Sequence, residues 1–462
     1  MERVDVAIVG GGPAGSSAAH AAATGGADAL VIEKGVPRAD RDRLGPDSTD
    51  AAGILDYWVD IMGVHPDEFD EGVVQRELNR AEFRGPDEAA TLTTTGIDSS
   101  YDKFGYTFQR ARFDDWLRDR AKDAGAEYRV GTSVRGVDTD LSVGPAGDEP
   151  RHTLELADGG TVGADFVVLA DGPQRTVTNQ VLDEYLPADA QASERLASRT
   201  ANHIAYQEYR RVPEEVFEEV NDALVFWWGV MPGETAYPWI FPNADRVCRV
   251  GLTMPIGLDI DEVDASEYAL LREDDESIPQ GGEYIRRLLE WQYGDEYDVG
   301  EEFPVVEDAG KRNGTETYPI SSTRPIDSPV DAGIAVAGGA MGTTSAFHEG
   351  GDHVAVRTGA IAGELAAEGD LAAYNRRWKE AIGDEVVRNV TMADMVAEYE
   401  PDDWNRVIGA ADAMLAAETG GSLLSQPYRS GWESAKLLLG YKWNKRRVKK
   451  DYVGIDESEY VY

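Results

Sequence analysis

The sequence predicts an α/β fold with three parts. The first is a parallel-sheet domain, discontinuous in sequence, over residues 1–180 and 320–365. An antiparallel-sheet domain over 181–319 interrupts it, with a short excursion near 75–105 joining that second domain. A helical C-terminal region over 366–462 completes the chain. Three observations carry this reading. Residues 3–33 run strand, glycine turn, helix, strand within about 30 residues, as one βαβ unit does. Two later apolar runs, 165–170 and 334–338, are short, β-branched and end at glycine or Asp-Gly. Residues 200–255 are rich in aromatic and β-branched side chains, as a pleated surface prefers.

Taken in order, residues 3–9 (Arg-Val-Asp-Val-Ala-Ile-Val) read as a buried strand that stops at Gly10. The Ala-rich stretch Ser16 to Thr24 follows as a helix, ended by Gly25 and Gly26. Residues 28–33 return as the second strand, closing on Glu33 and Lys34. Residues 112–124 form an amphipathic helix with Phe113, Trp116, Leu117 and Ala121 on one face. The tail from about 365 reads as helical and acidic to 435, then turns basic over 436–450.

The chain has 462 residues, room for two or three domains at roughly 100–200 residues each. Its formal charge is −42, from 86 acidic and 44 basic residues, and only ten of the basic ones are Lys. Such a charge repels itself in dilute salt. It is tolerated where the Debye length shrinks to about 3 Å, as at 1 M salt. The acid excess runs along the whole chain, so the expectation is a salt-adapted cytoplasm. Nucleic acid, itself a polyanion, is excluded as a partner. The single cysteine, Cys248, excludes an internal disulfide, a CxxC pair and a cysteine-ligated cluster. The six histidines show no metal-ligand spacing, and His348 and His353, five apart, do not share a helix face. No apolar run approaches the 18 or so residues of a spanning helix, and no signal-peptide pattern opens the chain, so the cytoplasm is the expected compartment.

The chemistry starts at Gly10-x-Gly12-x-x-Gly15, which encloses Pro13 and Ala14. Gly10 allows the tight turn, Gly12 lets backbone approach a pyrophosphate, and Gly15 permits close packing of helix on strand. The helix N-terminus adds free N–H groups and partial positive charge. Glu33 ends the second strand, where its carboxylate can accept the ribose hydroxyls of an adenosine. It also disfavours a 2′-phosphate there, since two anions repel. Strand, glycines, helix and distal acid agree on a Rossmann-like dinucleotide site. The motif alone leaves NAD and FAD both open.

Further segments carry a resemblance. Arg110-Ala-Arg-Phe113-Asp114-x-x-Leu117 opens the amphipathic helix. The strand 165–170 ends in Asp171-Gly172-Pro173. The strand 334–338 leads into Gly338-Gly339-Ala340-Met341-Gly342, then Gly350-Gly351 and a long helix. Over residues 3–365 the chain resembles the FAD-dependent hydroxylase and geranylgeranyl reductase superfamily, here of haloarchaeal kind. The resemblance implies FAD as cofactor. It implies that the first glycine motif holds the ADP part, that Arg110 lies near the flavin, and that Asp171 and Gly172 support both cofactor and sheet. Gly338 and Gly339, with Gly342, Gly350 and Gly351 after them, would serve the ribityl and pyrophosphate part. One departure matters: the family has Asp where this chain has Gly339, which removes a hydrogen bond typically worth about 1–1.5 kcal/mol. Asp352 and Glu349 are the carboxylates placed to compensate.

Tyr237-Pro-Trp239-Ile-Phe241-Pro242 looks like the Tyr-x-Trp-x-Phe-Pro segment of geranylgeranyl reductases. Strand alternation puts Tyr237, Trp239 and Phe241 on one side. These suit either a flat apolar cavity for an isoprenoid chain or a packed sheet core. The family's Pro three residues before the Tyr is Glu234 here, and its cysteine-bearing loop is replaced by Arg43-Leu-Gly-Pro-Asp-Ser-Thr49. The function the resemblance implies is reduction of C=C bonds in polyprenyl lipid, with Tyr237 or a water near 43–49 as proton donor and the electron donor unassigned. An FAD monooxygenase, an electron-transfer dehydrogenase to quinone and a flavin-free lipid-binding protein are the alternatives. The basic tail Lys436 to Lys450 holds five of the ten lysines. It reads either as a peripheral anchor on anionic lipid or, preferably, as a terminal helix docked on the acidic body.

Overall fold

In the strand Glu2–Val9, Val4, Val6, Ala7, Ile8 and Val9 are all buried. A strand apolar on successive residues has both faces covered, as in parallel sheets clothed by helices. The computed structural model, which describes residues 1–37, 53–145, 147–418 and 440–462, places it at the centre of a seven-stranded sheet. The order is 127–130, 29–33, 2–9, 161–169, 152–156, 134–139, with 334–336 also paired to 161–169. Val9 pairs with Ile32 on one side and Leu169 on the other, and Leu169 pairs with Val336, all in parallel. Four strands therefore end together at one edge, where open α/β sheets form their ligand crevice.

The helices used below are α1 (Pro13–Thr24), α2 (Asp56–Met62), α3 (Arg110–Asp123), α4 (Asp352–Glu368), α5 (Tyr374–Val396) and α6 (Pro401–Glu418); others, among them Thr176–Asp183, Glu214–Val220 and Gly281–Tyr293, lie between α3 and α4. Helix α1 begins at Pro13 rather than Ser16, because proline is pre-set for the first helical turn. Helix α3 begins at Arg110 rather than 112; its Phe113, Leu117 and Ala121 are buried as expected, and Trp116 is half-buried. Helix α4 crosses α1 very closely. A Cβ on Gly359 would stand 2.0 Å from Ala14 O, and one on Gly363 would stand 2.0 Å from Ala18 O.

The second sheet also has seven strands, in the order 315–321, 202–211, 247–255, 237–242, 223–227, 80–84, 89–92. Most neighbours are antiparallel, as 200–255 suggested, but 223–227 runs parallel to 80–84. A three-stranded sheet of 53–55, 105–108 and 74–78 joins the two. Thr107 Oγ1 donates to Pro242 O at 2.8 Å, and Arg249 Nη1 donates to Phe108 O at 3.0 Å. Both bonds tie the small sheet to the second large one.

Near the C-terminus, residues 440–448 are helical. Val448 is 2% exposed and belongs to the core of the parallel sheet, whereas Trp443 is 65% exposed. The part of the basic tail from 440 onward is docked on the body, and residues 436–439 lie outside the described residues. So does the 43–49 loop. Among the described residues no helix is long and apolar enough to cross a membrane.

Candidate functional site

A cavity of about 330 Å³ opens at the shared edge of the parallel sheet and runs to the face of the second sheet. At its first end the walls are mostly backbone: Gly12, Pro13, Ala14, Gly172, Gly339 and Gly351. Each glycine of the first motif has a distinct job. Gly10 adopts φ 99°, and a Cβ there would lie 2.4 Å from Ala170 O. A Cβ on Gly15 would lie 1.8 Å from Gly10 O. Gly12 meets nothing within 4 Å, so its missing side chain faces open cavity. Gly10 and Gly15 are glycine for the fold; Gly12 is glycine for what binds.

Two helix N-termini converge on this end. Neither α1, capped by Gly12, nor α4, capped by Gly351, has a side-chain cap. Uncapped N–H groups and aligned dipoles at such helix starts suit an anion. Arg110, at the first position of α3, lines the same cavity. Its Nη1 lies 2.9 Å from Asp352 Oδ1 and its Nε donates to Asp114 Oδ1 at 2.6 Å. Glu33 sits beside the glycine turn without lining the cavity; its carboxylate accepts from Gly11 N at 2.6 Å and Gly35 N at 2.5 Å. Both carboxylate oxygens are thus engaged by the backbone of the two turns. Lys34 is exposed and does not line this cavity.

Other expected residues serve at one remove. Asp171 turns its carboxylate away from the cavity and accepts from Val177 N at 2.7 Å and Thr178 N at 3.2 Å, capping a helix instead. Gly338, at φ 64°, seats against Ala14, and Gly342, at φ 82°, turns under Arg324 O. A Cβ on Gly350 would meet the Trp58 ring at 2.8 Å. Gly339 lines the cavity where a carboxylate was expected, and a Cβ there would press on Pro173 Cδ at 3.3 Å. Neither candidate substitute is free: Asp352 is held by Arg110 and Glu349 by His203.

The far end is aromatic. Phe226, Trp228, Tyr237, Trp239, Phe241 and Phe347 all line it. Trp228 stacks on Phe347 at 5.5 Å and is backed by Trp404 of α6 at 5.4 Å. Trp239 also lies flat over Gly251, whose Cβ would come within 2.5 Å of the indole. The three strand aromatics are therefore both sheet core and cavity wall. The Tyr237 hydroxyl donates to His348 O at 2.7 Å. Burial, with Glu349 nearby, pushes it well above the ordinary phenol range. Its proton rests on a backbone carbonyl at the cavity wall.

Sequence reasoning missed a stack at the cavity's side. Trp58 of α2 packs against both His348, at 4.8 Å, and His353, at 4.1 Å with rings 4° apart. The histidines share no helix face, since His348 precedes α4; they meet through the third ring. Burial, then Arg388, lowers His348 to about 4, and burial puts His353 well below the ordinary range. Both are neutral.

The geometry fits FAD on its own terms: a backbone cradle, two positive helix ends and an apolar chamber beyond. Residues 3–210 match the family model described as an FAD binding domain. The chain is 27% identical over 418 residues to a digeranylgeranylglycerophospholipid reductase of Methanothrix thermoacetophila, covering 88% of this chain and 90% of that one. It is 27% identical over 427 residues to digeranylgeranylglycerophospholipid reductase 2 of Methanopyrus kandleri, with coverage of 88% and 90%. Among solved structures, a geranylgeranyl bacteriochlorophyll reductase-like protein of Thermoplasma acidophilum superposes with a TM-score of 0.67 over 97% of this chain and 99% of that one, at 19% identity. Cradle, chamber and relatives agree: the chain is an FAD-dependent oxidoreductase, similar over most of its length to reductases of the geranylgeranyl type.

Proposed function

We propose that the protein reduces carbon–carbon double bonds in a geranylgeranyl or related polyprenyl lipid. The observation that carries this reading is the continuity of the cavity, glycine backbone at one end and aromatic rings at the other. Bound in the cradle, FAD supplies the hydride. The protein's residues do the rest. The N-termini of α1 and α4 hold the pyrophosphate. Arg110 and Asp352 fix one helix start against the other. The wall of Phe226, Trp228, Trp239 and Phe241 excludes water and holds an apolar chain by dispersion. An isolated alkene is a poor hydride acceptor, so a dry, positioned substrate is a requirement of the chemistry. The names of the relatives support a prenylated glycerophospholipid as substrate. The acid excess supports work in concentrated salt.

The test is anaerobic. The holoprotein in molar salt is reduced with dithionite, a geranylgeranyl lipid is added, and mass spectrometry reads added hydrogen pairs. Stepwise saturation is the expected result. Unchanged lipid, with flavin that stays reduced until oxygen or quinone is supplied, overturns the reading in favour of a monooxygenase or an electron-transfer dehydrogenase.

A further inference from the structure

His203 Nδ1 lies 2.5 Å from Glu349 Oε1, and the two side chains are 11% and 2% exposed. Glu349 sits in the loop before α4 at φ 55°, a left-handed conformation that non-glycine residues seldom adopt. It lines the large apolar cavity, beside His348 and Gly350. His203 lines a different one, a polar cavity of about 240 Å³ shared with Arg199, Glu234, Arg324 and Asp394. Exposed Arg199, Thr200 and Glu234 open that second cavity to water. The pair thus forms the partition between a dry chamber and a wet one.

A buried carboxylate on an aromatic cavity is a poor choice for stability alone, since apolar residues of like volume pack as well or better. Its chemistry gives it a use. Reduction of an alkene needs a proton as well as a hydride, and the Tyr237 hydroxyl is turned to His348 O. We propose that Glu349 is the proton donor of the reduction and that His203 returns a proton to it from the second cavity. The proposal rests on the reductase reading. The π bond is lost, and one carbon gains the hydride of the reduced FAD, which is oxidised by two electrons. The other carbon takes the proton that His203 Nδ1 and Glu349 share, delivered through the Glu349 carboxyl, which leaves neutral His203 beside the carboxylate; a solvent proton from the second cavity then restores His203.

The charges around the pair suit this traffic. Tyr237 and His348 face Glu349 from the dry side; Glu234, Arg199, Arg324 and Asp394 face His203 from the wet side. Burial alone would lower the His203 value, but Glu349 outweighs it and holds it above the ordinary histidine range.

The experiment uses the dithionite-reduced holoprotein, mixed anaerobically with geranylgeranyl lipid while flavin reoxidation is followed through one turnover. Glu349→Gln is expected to slow that step by about 100-fold or more, the usual weight of a positioned general acid, with flavin content and lipid affinity at wild-type levels. His203→Gln is expected to be slow and to lose the pH dependence in the histidine range. Independently of turnover, an NMR titration of the His203 imidazole is expected to move to lower pH in Glu349→Gln. Glu349→Asp, which keeps the acid but shortens it, is expected to turn over more slowly than wild type with the pH dependence intact, and it serves if Glu349→Gln does not fold. A Glu349→Gln protein that reduces lipid at the wild-type rate, or an unmoved His203 titration, overturns the relay and leaves the reductase standing. A wild type that never saturates the lipid overturns both.

Discussion

Arg110 Nη1 stands 2.9 Å from Asp352 Oδ1, so the first residues of α3 and α4 are joined across the cavity by one ion pair. The same guanidinium holds Asp114 through Nε. Arg110→Gln would leave two half-buried carboxylates without their cation beside an anion-binding site. The expected outcome is weakened FAD retention and a loss of about 2 kcal/mol in urea unfolding of the apoprotein, below the full cost of a deeply buried pair because these groups are partly wet. Arg110→Gln with Asp352→Asn should recover most of the stability, and lack of recovery would mean the loss was not electrostatic.

Gly12 and Gly359 test two different uses of glycine. Gly12→Val adds atoms only to open cavity, so the apoprotein should unfold as wild type does while FAD retention is abolished. Gly359→Val drives a side chain into Ala14 O and should destabilise the apoprotein itself by several kcal/mol, on the order of severe overpacking. Full flavin content in purified Gly12→Val would refute the pyrophosphate assignment.

Trp239→Leu should leave flavin content unchanged and raise the KM for lipid. A stability loss of about 2–3 kcal/mol is expected, because the indole is packed on Gly251 as well as facing the cavity. Equal KM values would make Trp239 a packing residue only.

Three buried histidines set the acid limit. Burial lowers His152 to about 3 and His348 to about 4, and takes His353 well below the ordinary value. The unfolded chain takes up protons below about pH 6.5 that the folded protein refuses, so stability falls as pH drops below that point. His203 acts in the opposite sense: its contribution is present below about pH 6.5 and is lost as pH rises through its raised value. Urea unfolding in molar salt should show lower stability at about pH 5 than at about pH 7, and His152→Asn should reduce the slope by at most about 1.4 kcal/mol per pH unit.

A charge of −42 predicts strong salt dependence. The thermal midpoint should climb between about 0.1 M and about 2 M KCl as the Debye length contracts. A flat profile would remove the salt-adapted reading.

The parallel sheet was legible because each strand carries its own signal: a buried apolar run with a glycine at its end, from Val4–Val9 to Ile334–Val336. The glycine turn was legible for the same reason, being local. Local signals left side-chain partners open. Asp171 was expected to support both cofactor and sheet; its carboxylate reaches Val177 and Thr178, a choice made by loop geometry that no spacing reveals. The Trp58–His348–His353 stack and the His203–Glu349 pair were not legible, since each joins residues from elements far apart in sequence. A Glu at φ 55° has no sequence mark at all.

The seam between α1 and α4 has a consequence for the protein's birth. Ala14 and Ala18 emerge from the ribosome near the start of synthesis, and Gly359 and Gly363, which they grip, emerge only after three quarters of the chain. Until then the glycine turn has one helix end instead of two, and the strand Ile334–Val336 that completes the crevice edge is missing. The nascent chain has no finished berth for its flavin. FAD must load late, onto a chain whose first strands have waited, uncovered on the α4 side, for their partner to be made.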